Sequence, residues 1–119
     1  MKIKTLTRFI GDEDPIQIWW EGFDGNLINF ASGYTFSSTL AYTSDPRTAI
    51  FTKTTGFTGA AVSGTELSGT PNLTVAWATS GELNTSSLTE GEYQFTIVAT
   101  KTSDSSQTTM RVRLTLKVR

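Results

Sequence analysis

The clearest pattern in the chain is a period-two alternation toward its C-terminal end. From Thr109 to Arg119, Met110, Val112, Leu114, Leu116 and Val118 share one parity, and Arg111, Arg113, Thr115, Lys117 and Arg119 share the other. Successive side chains of a strand point to opposite faces, so this segment reads as a strand with an apolar inner face and a basic, wet outer face. Just upstream, Tyr93, Phe95, Ile97 and Ala99 alternate with Gln94, Thr96, Val98 and Thr100. The polar stretch from Lys101 to Gln107 separates the two runs, and together they predict a β-hairpin.

Earlier segments follow the same logic. Ile16, Ile18 and Trp20 alternate with Gln17, Trp19 and Glu21, and Gly22-Phe23-Asp24-Gly25-Asn26 then turns the chain. Tyr34, Phe36, Leu40 and Tyr42 share parity, followed by a turn from Ser44 to Arg47 built around Pro46. A short strand is expected from Ala49 to Thr54 around Ile50 and Phe51, and another at Leu73, Val75 and Trp77, after Pro71. The first segment, Lys2 to Ile10, is mixed in parity. It reads as an edge strand, whose cations Lys2, Lys4 and Arg8 discourage stray pairing. The stretch from Thr55 to Thr70, rich in Gly, Thr and Ser, reads as a long loop carrying Phe57, Val62 and Leu67. No window shows apolar spacing at helical period. About seven strands with turn signals every ten residues or so predict an all-β fold, a single immunoglobulin-like antiparallel sandwich over residues 1–119.

Composition agrees and removes much chemistry. The chain has 119 residues, 37% apolar and 18% charged, with a net charge of -1. Thr and Ser supply roughly three residues in ten, which favours strands and turns. The absence of Cys excludes disulfides, thiolate zinc sites, iron–sulfur clusters and a Cys nucleophile. The absence of His removes the commonest general base and metal ligand. Neither a Gly-x-Ser-x-Gly elbow nor a phosphate-cradling Gly-Lys-Ser/Thr loop occurs. Glu21, Asp24, Glu82, Glu90 and Glu92 are carboxylates, but no spacing pairs two of them for glycoside hydrolysis. Asp12-Glu13-Asp14 and Asp24-Gly25-Asn26 lack the alternating ligands and distant Glu of a calcium loop and read as solvated turns. The expectation is a protein without catalysis or cofactor.

The N-terminal residues carry a charge every few positions and no apolar h-region, and no apolar run approaches the roughly 18 residues that span a bilayer. A soluble chain made in a cytosol, without a membrane partner, is expected. Near-zero net charge argues against nucleic acid as a partner. The charges are uneven, however. Lys2, Lys4, Arg8, Arg111, Arg113, Lys117 and Arg119 make up seven of the ten basic residues, and Asp12, Glu13, Asp14, Glu21 and Asp24 five of the eleven acidic ones. If the terminal strands lie side by side, they form a basic edge, either a solvated face or a contact with a neighbouring subunit. Trp19 and Trp20 must face opposite ways, and Trp20 shares parity with Ile16 and Ile18. Trp19 is then covered by the Gly/Thr-rich loop, buried at an interface, or free to stack on a sugar. Trp19 and Phe57 join the seven cations as candidate interface residues.

The most specific local pattern is Leu88-Thr89-Glu90-Gly91-Glu92-Tyr93-Gln94-Phe95. It resembles the tyrosine corner of immunoglobulin-like sandwiches, in which the Tyr hydroxyl bonds back to nearby backbone. Over most of the chain, a Gly-Asp near the start is followed by Pro-Ile entering a strand, Asp-Gly-Asn-Leu, and a Gly/Thr-rich stretch. Leu-Thr-Val-Ala-Trp, Leu-x-x-Gly-x-Tyr-x-Phe and a closing alternating strand complete the arrangement. It resembles small β-sandwich proteins of tailed-bacteriophage virions, in particular the N-terminal immunoglobulin-like domain of phage baseplate upper proteins. There the domain precedes a fibre or receptor-binding portion, whereas this sequence stops at Arg119. The resemblance implies a stand-alone virion component or an excised domain. Its expected role is to dock onto a tail, baseplate or capsid lattice, with other virion proteins or its own copies as partners. The competing expectation is a carbohydrate-binding or adhesin module that uses exposed aromatic rings.

Overall fold

A computed structural model describes residues 3–9, 15–22, 25–61, 71–76 and 88–118. They form eight strands: β1 (Ile3–Phe9), β2 (Ile16–Ile18), β3 (Tyr34–Tyr42), β4 (Asp45–Lys53), β5 (Phe57–Gly59), β6 (Leu73–Val75), β7 (Gly91–Lys101) and β8 (Gln107–Lys117). No helix occurs among the described residues. The strands build two packed sheets, β1-β8-β7-β3-β4 and β2-β6-β5. This is the predicted all-β sandwich, with eight strands rather than about seven. All pairs are antiparallel except β1–β8, in which the first strand runs parallel to the last.

The hairpin of β7 and β8 is the spine. Ten residue pairs run from Gly91↔Leu116 to Thr100↔Gln107. The alternation seen in sequence becomes the burial pattern: Phe95, Ile97, Ala99 and Leu116 are fully buried, and Met110, Val112 and Leu114 nearly so. Opposite them, Ile16, Ile18, Trp20, Leu73 and Val75 of the smaller sheet and its flanks close the core. Val118, read as part of the inward set, lies beyond the end of β8 and is 64% exposed. Its backbone N–H donates to Glu90 at 3.2 Å. Once the ladder ends, nothing holds the alternation against the facing sheet.

The tyrosine corner forms as expected. The Tyr93 hydroxyl donates to the Thr89 carbonyl at 2.8 Å, and the side chain is 1% exposed. This pins the chain where it enters β7.

Two boundaries move. The turn expected from Ser44 to Arg47 is tighter, at Thr43 and Ser44, and Asp45 to Arg47 already belong to β4. Pro46 falls in the register shift between Asp45 and Ala49, where β4 has no β3 partner, so its missing N–H costs no ladder bond. The stretch from Thr55 to Thr70, expected as loop, contains β5, which pairs with β6 through Phe57↔Val75 and Gly59↔Leu73. Three residues with one Gly are too few to show a period. Ile10, Val62, Leu67 and Trp77 lie outside the described residues.

The small sheet is held by contacts of another kind. Asn72 is completely buried and clips the chain beside it. Its Oδ1 accepts from the Trp20 N–H at 2.7 Å, and its Nδ2 donates to the carbonyls of Trp20 and Ile28 at 2.9 and 2.8 Å. A side-chain amide thereby replaces a missing rung of backbone pairing. Gly59 packs so closely on residue 30 that a Cβ there would run into the Phe30 carbonyl. Phe30 anchors an aromatic cluster, edge-on to Trp20, Tyr34 and Phe36 at centroid distances of 5.3, 4.9 and 5.2 Å.

Candidate docking surface

The outer face of the larger sheet follows from the parity opposite to the core. Cross-strand pairs on it read Thr35↔Thr100, Ser37↔Val98 and Thr39↔Thr96 between β3 and β7. Between β7 and β8 they read Gln94↔Arg113, Thr96↔Arg111 and Val98↔Thr109. The surface is thus mainly neutral and hydroxyl-bearing. Its composition explains the abundance of Thr, whose branched Cβ suits a strand and whose hydroxyl suits water.

Along one side of this face runs β8, with Arg111, Arg113 and Lys117 all exposed. Between β7 and β8 lies a shallow depression of about 140 Å³, lined by Thr43, Gln94, Arg111, Val112 and Arg113. Gln94 is set by its own neighbour, its Nε2 donating to the Thr96 Oγ1 at 3.3 Å. The guanidinium groups offer planar forks of donors, a geometry that matches carboxylates and other oxyanions.

The terminal strands do lie side by side, as a basic edge requires. The register nevertheless divides the cations between two faces. Lys4 pairs with Val112 and Arg8 with Leu116, whereas Thr5 pairs with Arg113 and Phe9 with Lys117. Paired residues share a face, so β1 places Arg8 at core-side register and β8 places its cations outside, while the Lys4 side chain is not among those described. Arg8 is accordingly half-buried. Lys2 and Arg119 lie outside the described residues.

The aromatic candidates also separate. Phe57 faces the aromatic cluster, stacked on Phe36 at 5.5 Å. Trp19 is half-buried between buried Ile18 and Trp20. Among the described residues, the large apolar side chains with most exposure are Phe9, Tyr42 and Val118. Tyr42 keeps one ring face against Tyr93, at 5.2 Å.

Two residues that pattern reading passed over prove informative. Lys53, the last residue of β4, is 1% exposed, with its ammonium beside Gly56. Its backbone carbonyl accepts from the Ser38 hydroxyl at 3.3 Å. It shares parity with Phe51, which already pointed it inward, although its charge suggested otherwise. Asn72 sits just before a strand, where no periodicity singles it out. Asp12-Glu13-Asp14 and Glu82 fall outside the described residues, and among the described ones no three acidic side chains gather in a metal-binding group. No protein-family model, curated protein or solved structure matches the chain.

Proposed function

We propose that this chain is a non-enzymatic structural protein of a phage virion, which docks onto a tail, baseplate or capsid lattice through protein–protein contacts. The observation that carries the docking part is the outer face of the larger sheet. It is a broad hydroxyl-rich surface with a cationic row, Arg111, Arg113 and Lys117, along one side. A rigid ladder of long strands presents that row in fixed spacing, which suits recognition by a partner of complementary charge. The virion part is supported by the sequence resemblance to phage baseplate sandwich domains. In a symmetric lattice the contact repeats, so modest affinity at each copy suffices.

The direct test is co-sedimentation of the purified protein with isolated tails, baseplates and capsid shells at low ionic strength. Binding to one of these, weakened by salt, is the expected result. Protein left free in the supernatant with every virion surface offered would overturn the proposal.

A further inference from the structure

The geometry points to the depression between β7 and β8 as a carboxylate-docking site for an extended acidic segment of a partner protein. This rests on the docking reading above and supplies the partner's chemistry. Arg111 and Arg113 stand two residues apart on one strand face, so their stems rise about 6.8 Å from each other. Two like charges at that spacing repel, and an anion placed between or above them relieves the repulsion. Among the described residues neither arginine makes an ion pair; their directly opposite neighbours Thr96 and Gln94 are neutral, and Glu92 stands one rung further along the same face. The site therefore presents donors that the described residues leave without an anionic partner.

Spacing narrows the occupant, and the depression, of about 140 Å³, has room for a carboxylate. An extended chain repeats its side chains on one face at the same ~6.8 Å as β8. A segment with acids at alternate positions thus sets one carboxylate on each guanidinium, each as a bidentate pair. Its intervening residues project away from the surface. A single free anion engages one arginine or bridges both poorly, which favours the repeated acidic segment.

The probe is a synthetic nonapeptide of alternating threonine and glutamate, titrated into the isotope-labelled protein at low salt. The peptide is expected to shift the Nε–H resonances of Arg111 and Arg113 and the side-chain amide of Gln94. Arg111→Gln with Arg113→Gln should weaken binding about tenfold or more, whereas Lys101→Gln, an exposed cation at the far end of β7, changes it less than about twofold. Absence of binding, or an equal loss from Lys101→Gln, overturns the site. So does tighter binding of a sulfated hexasaccharide or of inorganic phosphate at the same arginines. Salt-sensitive self-association in sedimentation, abolished by the double substitution, would make a second copy the occupant and overturn it as well. Co-sedimentation of the double variant with virion parts at wild-type strength would remove the site and leave the docking function intact. Peptide binding at the arginines without co-sedimentation of the wild type would do the reverse.

Discussion

The two sheets of this sandwich are stabilised in different ways. In the larger one, strands of seven to eleven residues pair along long ladders, interrupted by register shifts near the β3–β4 turn, and each inner side chain repeats the contribution of the one two positions before. In the smaller one, the three strands have three residues each. A ladder that short gives few hydrogen bonds and little area per strand. What holds it is a handful of singular contacts: the Asn72 clip, the close approach at Gly59 and the rings around Phe30. Distributed stabilisation tolerates single losses, whereas concentrated stabilisation does not. A polar residue in the small sheet should therefore matter as much as a large apolar one in the big sheet.

The sharpest test of that contrast is Asn72→Ala. It removes three hydrogen bonds, two buried and one part-buried, and leaves the Trp20 N–H and the Ile28 carbonyl without their side-chain partner. The expected cost is about 3 kcal/mol or more, since each buried polar group left unsatisfied costs about 1–3 kcal/mol. Urea unfolding monitored by tryptophan fluorescence measures it. A loss below about 1 kcal/mol would mean that the clip is incidental and that the sheets do not differ in kind.

Gly59→Ala comes next, at about 2–3 kcal/mol, because the new methyl meets backbone and residue 30 has to move. Gly33→Ala is the control. Gly33 adopts φ +82° with nothing within 4 Å of a Cβ, so only the left-handed backbone is penalised, at about 1 kcal/mol. Equal effects in thermal unfolding would show that the close approach adds nothing beyond backbone freedom.

The same division decides what could be read from the sequence. The hairpin from Tyr93 to Lys117, the inward set Met110, Val112, Leu114 and Leu116, and the corner at Tyr93 were legible because repetition or a local motif encodes them. The turn from Gly22 to Asn26 was legible as well, and the Gly22 N–H bonds the Asn26 carbonyl at 2.9 Å. Strand β5 and the role of Asn72 were not, because three residues carry no period and a clip across 52 positions leaves no local trace. The candidate surface was half legible. Parity put Arg111, Arg113 and Lys117 on one outer face. The out-of-phase register of β1, which turns Arg8 the other way, depends on a parallel pairing that the sequence alone leaves unspecified.

Within the larger sheet, the loss of a single polar contact should be small. Tyr93→Phe keeps the ring and its packing but removes the bond to the Thr89 carbonyl. About 1 kcal/mol is expected, the net worth of one hydrogen bond. A loss as large as that of Asn72→Ala, measured in the same urea series, would place a concentrated contact in the big sheet too and blur the contrast.

The smallest effect belongs to the turn between β7 and β8, where Asp104 accepts from the Ser106 N–H at 3.0 Å and from its hydroxyl at 2.8 Å. These bonds, backbone first, hold the carboxyl below its ordinary 3.8, and Lys101 adds to them. A carboxyl whose pKa is lowered on folding stabilises the native state above its unfolded pKa, and this contribution fades as pH falls through the folded value. The window is therefore below about pH 4, and full exposure makes the effect weak and salt-sensitive. Asp104→Asn should be slightly less stable than the wild type at neutral pH, with the gap closing in acid. The turn and the Asn72 clip share no partner and belong to different sheets, so the two substitutions should add within about 0.5 kcal/mol in a double-mutant cycle. Coupling beyond that would mean that the hairpin and the small sheet respond as one unit, and the division between distributed and concentrated stabilisation would have to be given up.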